Sequence, residues 1–340
     1  MRGRLLLILL LLLSSMSYAQ VGGESVYNFL NVPTSARQAS LGGKVLTLLD
    51  DVNQPLWNPS TINIEMDNQL SVNYLNFLTD ISYASVTFAH MINRNIGTVH
   101  GGITYANYGE FIQADEQGNE TGNFKAYDMA FSVGYTTQLP FSDIYIGANI
   151  KLVNSVIAEY SSFGAVADFG LTYTNEHEPY VFSIVARNIG YQITTFDGTQ
   201  EKVPIELAAG LSYRLENVPL KWYLTLDNLQ KWNVAKPNPS NAVTDINGNV
   251  IQEEIGFLDN AIRHVVVGAE FFPEGLFNLR LGYNFRRAKE LQLTDIRTFA
   301  GFTAGFGLQM RRMKINYAFA KYHPEANTST FSLSIDLSKR

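Results

Sequence analysis

The sequence predicts an all-β fold: a transmembrane antiparallel β-barrel of about fourteen strands, with an N-terminal segment lying as a plug in its lumen. Three observations carry this. From Gln69 onward the apolar residues recur with period two, the spacing of strands with unlike faces. After Gln20 no run approaches the roughly 18 consecutive apolar residues of a membrane helix, which leaves a closed barrel as the one architecture that satisfies every backbone hydrogen bond in lipid. Short and long connections alternate along the chain, as periplasmic turns and extracellular loops do in bacterial outer-membrane barrels.

Composition narrows the function classes. Of 340 residues, 46% are hydrophobic, 12% aromatic and only 16% charged, and the 18 Tyr and 21 Phe favour strands. A formal charge of −6 gives no basic surface for nucleic acid. The absence of cysteine removes disulfides, thiolate metal sites, Cys nucleophiles and a lipoprotein anchor.

Residues 1–19 read as a secretory signal peptide. Arg2 and Arg4 precede the apolar run Leu5 to Leu13, too short to span about 30 Å of hydrocarbon, and Ser17 and Ala19 stand before a cut at Gln20. Cleavage removes two arginines and no acid, taking the charge from −6 to −8.

Residues 20–68 lack strand periodicity. Ser35-Ala36-Arg37-Gln38 resembles a capping box, and Gly42-Gly43 ends the short helix it starts. Pro59 restricts Asn58 to extended geometry, aiming the Trp57 ring at a wall. A fourteen-strand lumen is too wide for its own side chains to fill, so this half-apolar segment is expected to pack there as a plug.

Residues 69–340 form the barrel. Strands are expected at 69–78, 81–92, 96–107, 124–138, 143–157, 163–174, 180–189, 204–215, 219–229, 261–272, 276–285, 298–309, 312–322 and 329–338. In 276–285, Phe277, Leu279, Leu281, Tyr283 and Phe285 form a face fit for lipid, and Asn278, Arg280, Gly282 and Asn284 a face fit for water. Tight links at 93–95, 140–142, 175–179, 216–218, 273–275 and 310–311 alternate with longer ones at 108–123, 190–203, 230–260, 286–297 and 323–328. Only the links near Thr79 and Ser161 depart from the rule by being short. An even strand number puts both termini on the periplasmic side of a Gram-negative outer membrane. The longest loop, Gln230 to Asn260, carries Trp232, Pro237, Pro239 and Phe257, a composition suited to protein contact outside the cell. Its alternative is a lid packed back through Val250, Ile251, Ile255 and Phe257.

No catalytic, cofactor-binding or metal-binding residue is predicted. Gly42-Gly43-Lys44 lacks the earlier glycine of a phosphate loop, with Gln38 in its place, and Val45 replaces the metal-binding Ser or Thr. His177-Glu178 is followed by Pro179 and has no second histidine at zinc spacing. The histidines at 90, 100, 177, 264 and 323 are scattered. Asp245, Asn247 and Asn249 have calcium-loop spacing, but Val250 replaces the turn glycine and Gly256 the bidentate glutamate, so Asn247-Gly248 reads as a tight turn.

Several segments also resemble one family. Gly22-Gly23-Glu24-Ser25-Val26-Tyr27-Asn28-Phe29-Leu30, Ser35 to Lys44, and Asp50 to Ser60 with Trp57-Asn58-Pro59 are similar to the N-terminal signature of the PorV/PorQ group of FadL-like outer-membrane barrels, PorQ in particular. Arg214 to Trp222, Asp227 to Asn233 and Leu279 to Arg287 extend the likeness over essentially the whole mature chain. Departures are Ser60, where the group usually has Ala, and an end at Ser338-Lys339-Arg340 without the common terminal aromatic. The resemblance implies a non-enzymatic part of the type IX secretion system that holds a PorZ-like surface protein near PorU and PorV, with membrane lipid around it. The competing expectation is a FadL-like transporter of hydrophobic small molecules. A general porin requires an open lumen, which the plug would obstruct.

Overall fold

A computed structural model describes residues 25–93, 96–175, 177–235, 243–244, 250–251, 255–291, 299–322 and 326–338. The signal peptide, the start of the N-terminal signature, the Asn247-Gly248 turn, His323 and the last two residues lie outside the described residues. The barrel strands before the longest loop are β1 (Gln69–Leu78), β2 (Ile81–Asn93), β3 (Gly97–Ala114), β4 (Glu120–Gln138), β5 (Ile144–Ile157), β6 (Tyr160–Thr174), β7 (Tyr180–Thr194), β8 (Glu206–Arg214) and β9 (Leu220–Leu226). A two-stranded ribbon in that loop, β10 (Val243–Thr244) and β11 (Val250–Ile251), is followed by β12 (Val265–Phe271), β13 (Phe277–Asn284), β14 (Phe302–Met310), β15 (Met313–Ala320) and β16 (Thr328–Asp336). Among the described residues fourteen antiparallel strands form one closed sheet, each beside its chain neighbour, and β1 pairs with β16 from Gln69↔Asp336 to Asn76↔Ser329. Closure leaves no edge strand, so no ladder group faces lipid unpaired.

The alternation sorts the side chains. Phe277, Leu279 and Leu281 point outward, whereas Asn278, Arg280, Gly282 and Asn284 point inward and are buried. Ile146, Ile150 and Leu152 face out on β5, against inward Asn149 and Lys151. Several boundaries differ from the sequence expectation; the strand expected at 261–272 begins only at Val265, because residues 257–262 form a short helix. Strands β3 and β4 run on to Ala114 and back from Glu120, because the ladder continues past the point where Glu110, Gln113 and Asn123 end the apolar alternation. Strand β7 continues to Thr194 across a bulge in which Arg187 and Asn188 both oppose Asp168. That bulge turns two consecutive polar residues inward and shifts the phase that periodicity relies on. Phe285 leaves the strand to begin a short helix capped by Asn284, whose side chain accepts from Arg287 N–H.

The inward face is not simply a wetted one. Residues 25–66 pack against it, entering where Val26 N–H donates to the Lys202 carbonyl at 2.9 Å, at the long-loop end. They leave at the short-turn end, where Asp67 accepts from Met91 N–H at 2.7 Å just before β1 begins. The described chain therefore starts at the opposite end of the barrel from Leu337, whose N–H donates to the Asn68 carbonyl. Within the lumen, helix α1 (Ala36–Ser40) packs on β14, β15 and β16. Ser35 stands at its N-cap without a side-chain bond, and Ser332 of β16 satisfies Ala36 N–H at 2.8 Å instead. Gly42 and Gly43 follow with φ of 93° and 89°, and Gly43 N–H closes on the Gln38 carbonyl.

Where this segment touches the wall, the wall residue is repeatedly glycine. A Cβ on Gly282 of β13 would stand 2.1 Å from Gly42 N, one on Gly147 of β5 2.4 Å from the Pro59 carbonyl carbon, and one on Gly170 of β6 2.3 Å from Asn58 Oδ1. These separations are impossible for a real Cβ, so any side chain there pushes the segment off the wall.

Two outcomes test this arrangement. Gly282→Ala should destabilise the barrel by about 1–3 kcal/mol through overpacking, while Gly101→Ala, whose Cβ meets nothing nearer than 4.0 Å, should be near neutral. Leu281→Arg should lower stability by roughly 2–4 kcal/mol in a bilayer, against a much smaller effect of Leu281→Ala. Folded fraction by unheated gel migration over a denaturant series reads both.

Candidate functional site

Two features of the lumen stand out, a chain of buried ion pairs and an apolar cleft above it. The ion pairs start at α1. Arg37 Nη1 donates to Asp50 at 2.7 Å and Nη2 to Glu270 of β12 at 2.9 Å. Glu270 also accepts from Arg280 Nε at 2.7 Å and from the Tyr223 hydroxyl at 2.8 Å. A second group forms around Lys44, which pairs with Glu206 and, at 2.8 Å, with Asp227. Arg187 donates to Glu206 at 2.9 Å, Arg286 pairs with Asp227, and Lys151 reaches Asp168 at 2.6 Å. Pairs this deep gain little over an apolar core, but removing one partner strands the other, at a cost of about 3–5 kcal/mol.

The segment's own ionisable groups feel this field. Burial by itself would raise the Asp50 carboxyl, but the Arg37 guanidinium, with Lys314 behind it, holds it well below the usual carboxylate range. Burial would likewise depress Arg37, and Asp50 and Glu270 instead push it well above its ordinary value. A carboxyl depressed in the folded state adds stability above its unfolded value of about 3.9, and that contribution fades as pH falls through the folded value. The Asp50 attachment therefore persists at pH 4 and weakens only in stronger acid.

The signature residues of the segment meet the opposite wall. Asn58 is extended, with φ −144° and ψ 101°, and its side chain accepts from Ser60 N–H to start a short turn. It also donates to the Leu46 carbonyl at 2.8 Å and to Thr172 of β6 at 3.1 Å. Ser60 bonds Thr172 at 2.7 Å, so its hydroxyl has a partner on the wall. The Trp57 ring lies under the Arg187 guanidinium, 4.0 Å away. Arg187 also donates to the Leu30 carbonyl at 2.9 Å, so one bulge residue holds the segment at two places.

The cleft opens at the long-loop end and has a volume of about 550 Å³. Its walls are Tyr108, Phe111, Phe124 and Ile157 from β3, β4 and β5, with Ile81 and Phe196 across the mouth. Val26 and Tyr27 of the lumenal segment lie along it, and Tyr27 is fixed by a 2.6 Å hydrogen bond with Ser162. The prolonged β3–β4 hairpin forms one side, its Phe111 and Phe124 rings stacked 5.2 Å apart. On the cleft wall, Asp128 accepts from the Tyr108 hydroxyl at 2.6 Å and from Ser155.

The structure does not gather the histidines. His90 is exposed, His100 is buried against the Val52 carbonyl, and His264 bonds the carbonyls of Asp227 and Trp232. Among the described residues no three His, Asp or Glu converge as a metal site. Periodicity did not single out Asp128, Arg187, Glu206, Asp227 or Glu270. Their signal was present as charged residues at inward positions of strands or at strand ends. In the longest loop, Trp232 meets Phe257 at a tilt and stacks on His264, with ring centroids 4.8 and 5.6 Å apart, and Phe257 and Leu258 are exposed. Val250 and Ile251 belong to the ribbon, and their side chains lie outside the described residues.

Arg37→Ala should destabilise the chain by about 3–5 kcal/mol by leaving Asp50 and Glu270 short of a cation, and should open residues 25–66 to protease. Arg37→Lys should recover part of the loss. Thermal unfolding in detergent and limited proteolysis measure the two effects.

No protein-family model and no curated protein matches this sequence. Solved structures do. The Ralstonia pickettii toluene transporter TbuX superposes with a TM-score of 0.51 at 11% identity, over 91% of this chain and 98% of its own. A deltaS2 mutant of the TodX monoaromatic hydrocarbon channel gives 0.51 at 12% identity, over 89% and 97%. At such identities the likeness is one of fold alone: like these two proteins, the chain is a closed antiparallel β-barrel.

Proposed function

We propose that this protein takes apolar small molecules from outside the cell into the cleft at the long-loop end of a plugged outer-membrane barrel, without catalysing a reaction. The observation that carries this is the cleft itself, about 550 Å³ walled by Tyr108, Phe111, Phe124, Ile157 and Phe196. Aromatics that line a concavity are the general form of a hydrophobic binding site. The hydrocarbon transport named for TbuX and TodX supports the reading by analogy of fold. The ion-paired segment below the cleft argues against a simple aqueous pore, and acts here as a plug. On this reading the start of β1 and the end of β16, at the short-turn end, face the periplasm.

Naphthalene should bind saturably to the barrel in lipid nanodiscs, in excess of empty nanodiscs. Ala126→Trp, which fills the cleft, should abolish that excess while leaving heat-modifiable gel migration intact. No saturable excess in the unaltered protein overturns the proposal.

A second reading is favoured by the exposed Trp232, Phe257 and Leu258 together with the N-terminal signature. In it the barrel anchors a PorZ-like surface protein of a type IX secretion assembly, beside PorU and PorV. Trp232→Ser with Phe257→Ser should then release that partner from cells into the medium at normal barrel levels, and unchanged retention rejects the role.

A further inference from the structure

The polar groups of the cleft are one-sided. Its described lining contains two acids, Asp128 and Glu201, and no Lys, Arg or His. Lys125, the nearest cation in the β4 sequence, is exposed on the opposite face of the strand from Phe124, Ala126 and Asp128. Asp128 is the more telling of the two acids. It sits on the inward face of β4, 7% exposed, with Tyr108 donating to Oδ2 and Ser155 to Oδ1. A carboxylate has about four acceptor positions, so these two bonds leave it with acceptor capacity to spare. Tyr108 bonds it directly, and Phe111, Phe124 and Phe196 line the same cleft; aromatic ring faces are electron-rich and attract cations.

We infer that the cleft selects apolar molecules ending in a hydrogen-bond donor, an amine above all, and rejects those ending in a carboxylate, an inference that rests on the apolar uptake proposed above. The chemistry is direct. An ammonium brought to Asp128 gains a charge-assisted hydrogen bond in an aromatic surround. A neutral hydroxyl makes the ordinary bond. A carboxylate meets two like charges with no cation in the described lining to offset them, so its desolvation goes uncompensated. The apolar body of all three lies on the same rings, so the difference arises at the polar end alone.

The test uses one ring system with three ends: 2-(1-naphthyl)ethylamine, 2-(1-naphthyl)ethanol and 1-naphthylacetate, against naphthalene itself. Binding is measured to the full chain in nanodiscs of zwitterionic lipid, with empty nanodiscs subtracted so that membrane partitioning cancels. The amine should bind about tenfold or more tighter than the acid, with the alcohol between, as expected for a charged hydrogen bond gained on one side and lost on the other. Asp128→Asn should bring amine and alcohol to within about twofold of each other. Equal binding of amine and acid, or an amine advantage that survives Asp128→Asn in a folded barrel, overturns the selectivity while leaving apolar uptake standing. Failure of naphthalene and all three derivatives to bind overturns both. The ligand series on the unaltered chain decides the point even if Asp128→Asn fails to fold.

Discussion

Everything inside this barrel depends on how closely the N-terminal segment approaches the wall. Backbone atoms of residues 42 and 59 and the Asn58 side chain come so near strands β13, β5 and β6 that no Cβ fits between them. Glycine in a strand normally weakens it, since it packs nothing and costs more chain entropy. Here the missing side chain is the socket. It lets extended chain lie flat on the sheet, where wall residues satisfy its polar groups, as Thr303 does by accepting from Gly42 N–H and Ser332 from Ala36 N–H. A wall of alanine or valine would hold the segment off the sheet, too far for those hydrogen bonds.

With the segment seated, the buried charges become affordable. Arg37, Glu270, Arg280, Lys44, Glu206 and Asp227 would each be prohibitive alone in a water-poor lumen, yet each has an opposite charge within hydrogen-bonding reach. The partners come from different sources: Arg37 and Lys44 from the segment, the acids and Arg280 from the strands and their ends. Charge complementarity therefore fixes which part of the segment faces which strand, and close packing at the glycines fixes how near it comes. Register is set twice, by independent physics.

Strand existence and facing were legible in the sequence because a lipid-facing wall enforces period two along most of each strand. Leu279 and Leu281 must be outward, so Arg280 and Gly282 must be inward. Loop parity was legible for the same reason, since each crossing of the membrane has a fixed length. The bulge at Arg187-Asn188 was not legible, because two adjacent inward residues look like a loss of alternation, which periodicity reads as the end of a strand. The long β3–β4 hairpin was missed for a related reason: beyond the membrane the ladder continues while the lipid that enforces alternation is gone. For the candidate site, Trp57, Asn58 and Arg37 could be picked as informative, but their partners Arg187, Thr172 and Glu270 are distant in sequence. Gly147, Gly170 and Gly282 looked like ordinary lumen-facing positions until the segment was seen against them.

The segment is not held evenly along its length, and this bears on what the cleft above it can do. Residues 37 to 50 are tied by ion pairs to β8, β12 and the end of β9. Residues 25 to 29 are held by softer means: Val26 on a loop carbonyl, the Tyr27 hydroxyl on Ser162, and Phe29 in an apolar cluster with Leu75, Tyr83 and Val153. Neutral contacts of this kind exchange for similar ones at little expense, whereas a buried ion pair cannot open without stranding a charge. A molecule in the cleft lies beside this softer stretch, so any movement that admits it deeper begins at residues 25 to 29 and meets rising resistance toward Arg37. Under the proposed uptake, the same grading would let the outer end of the segment yield to an apolar guest while the inner end stays tied to the wall.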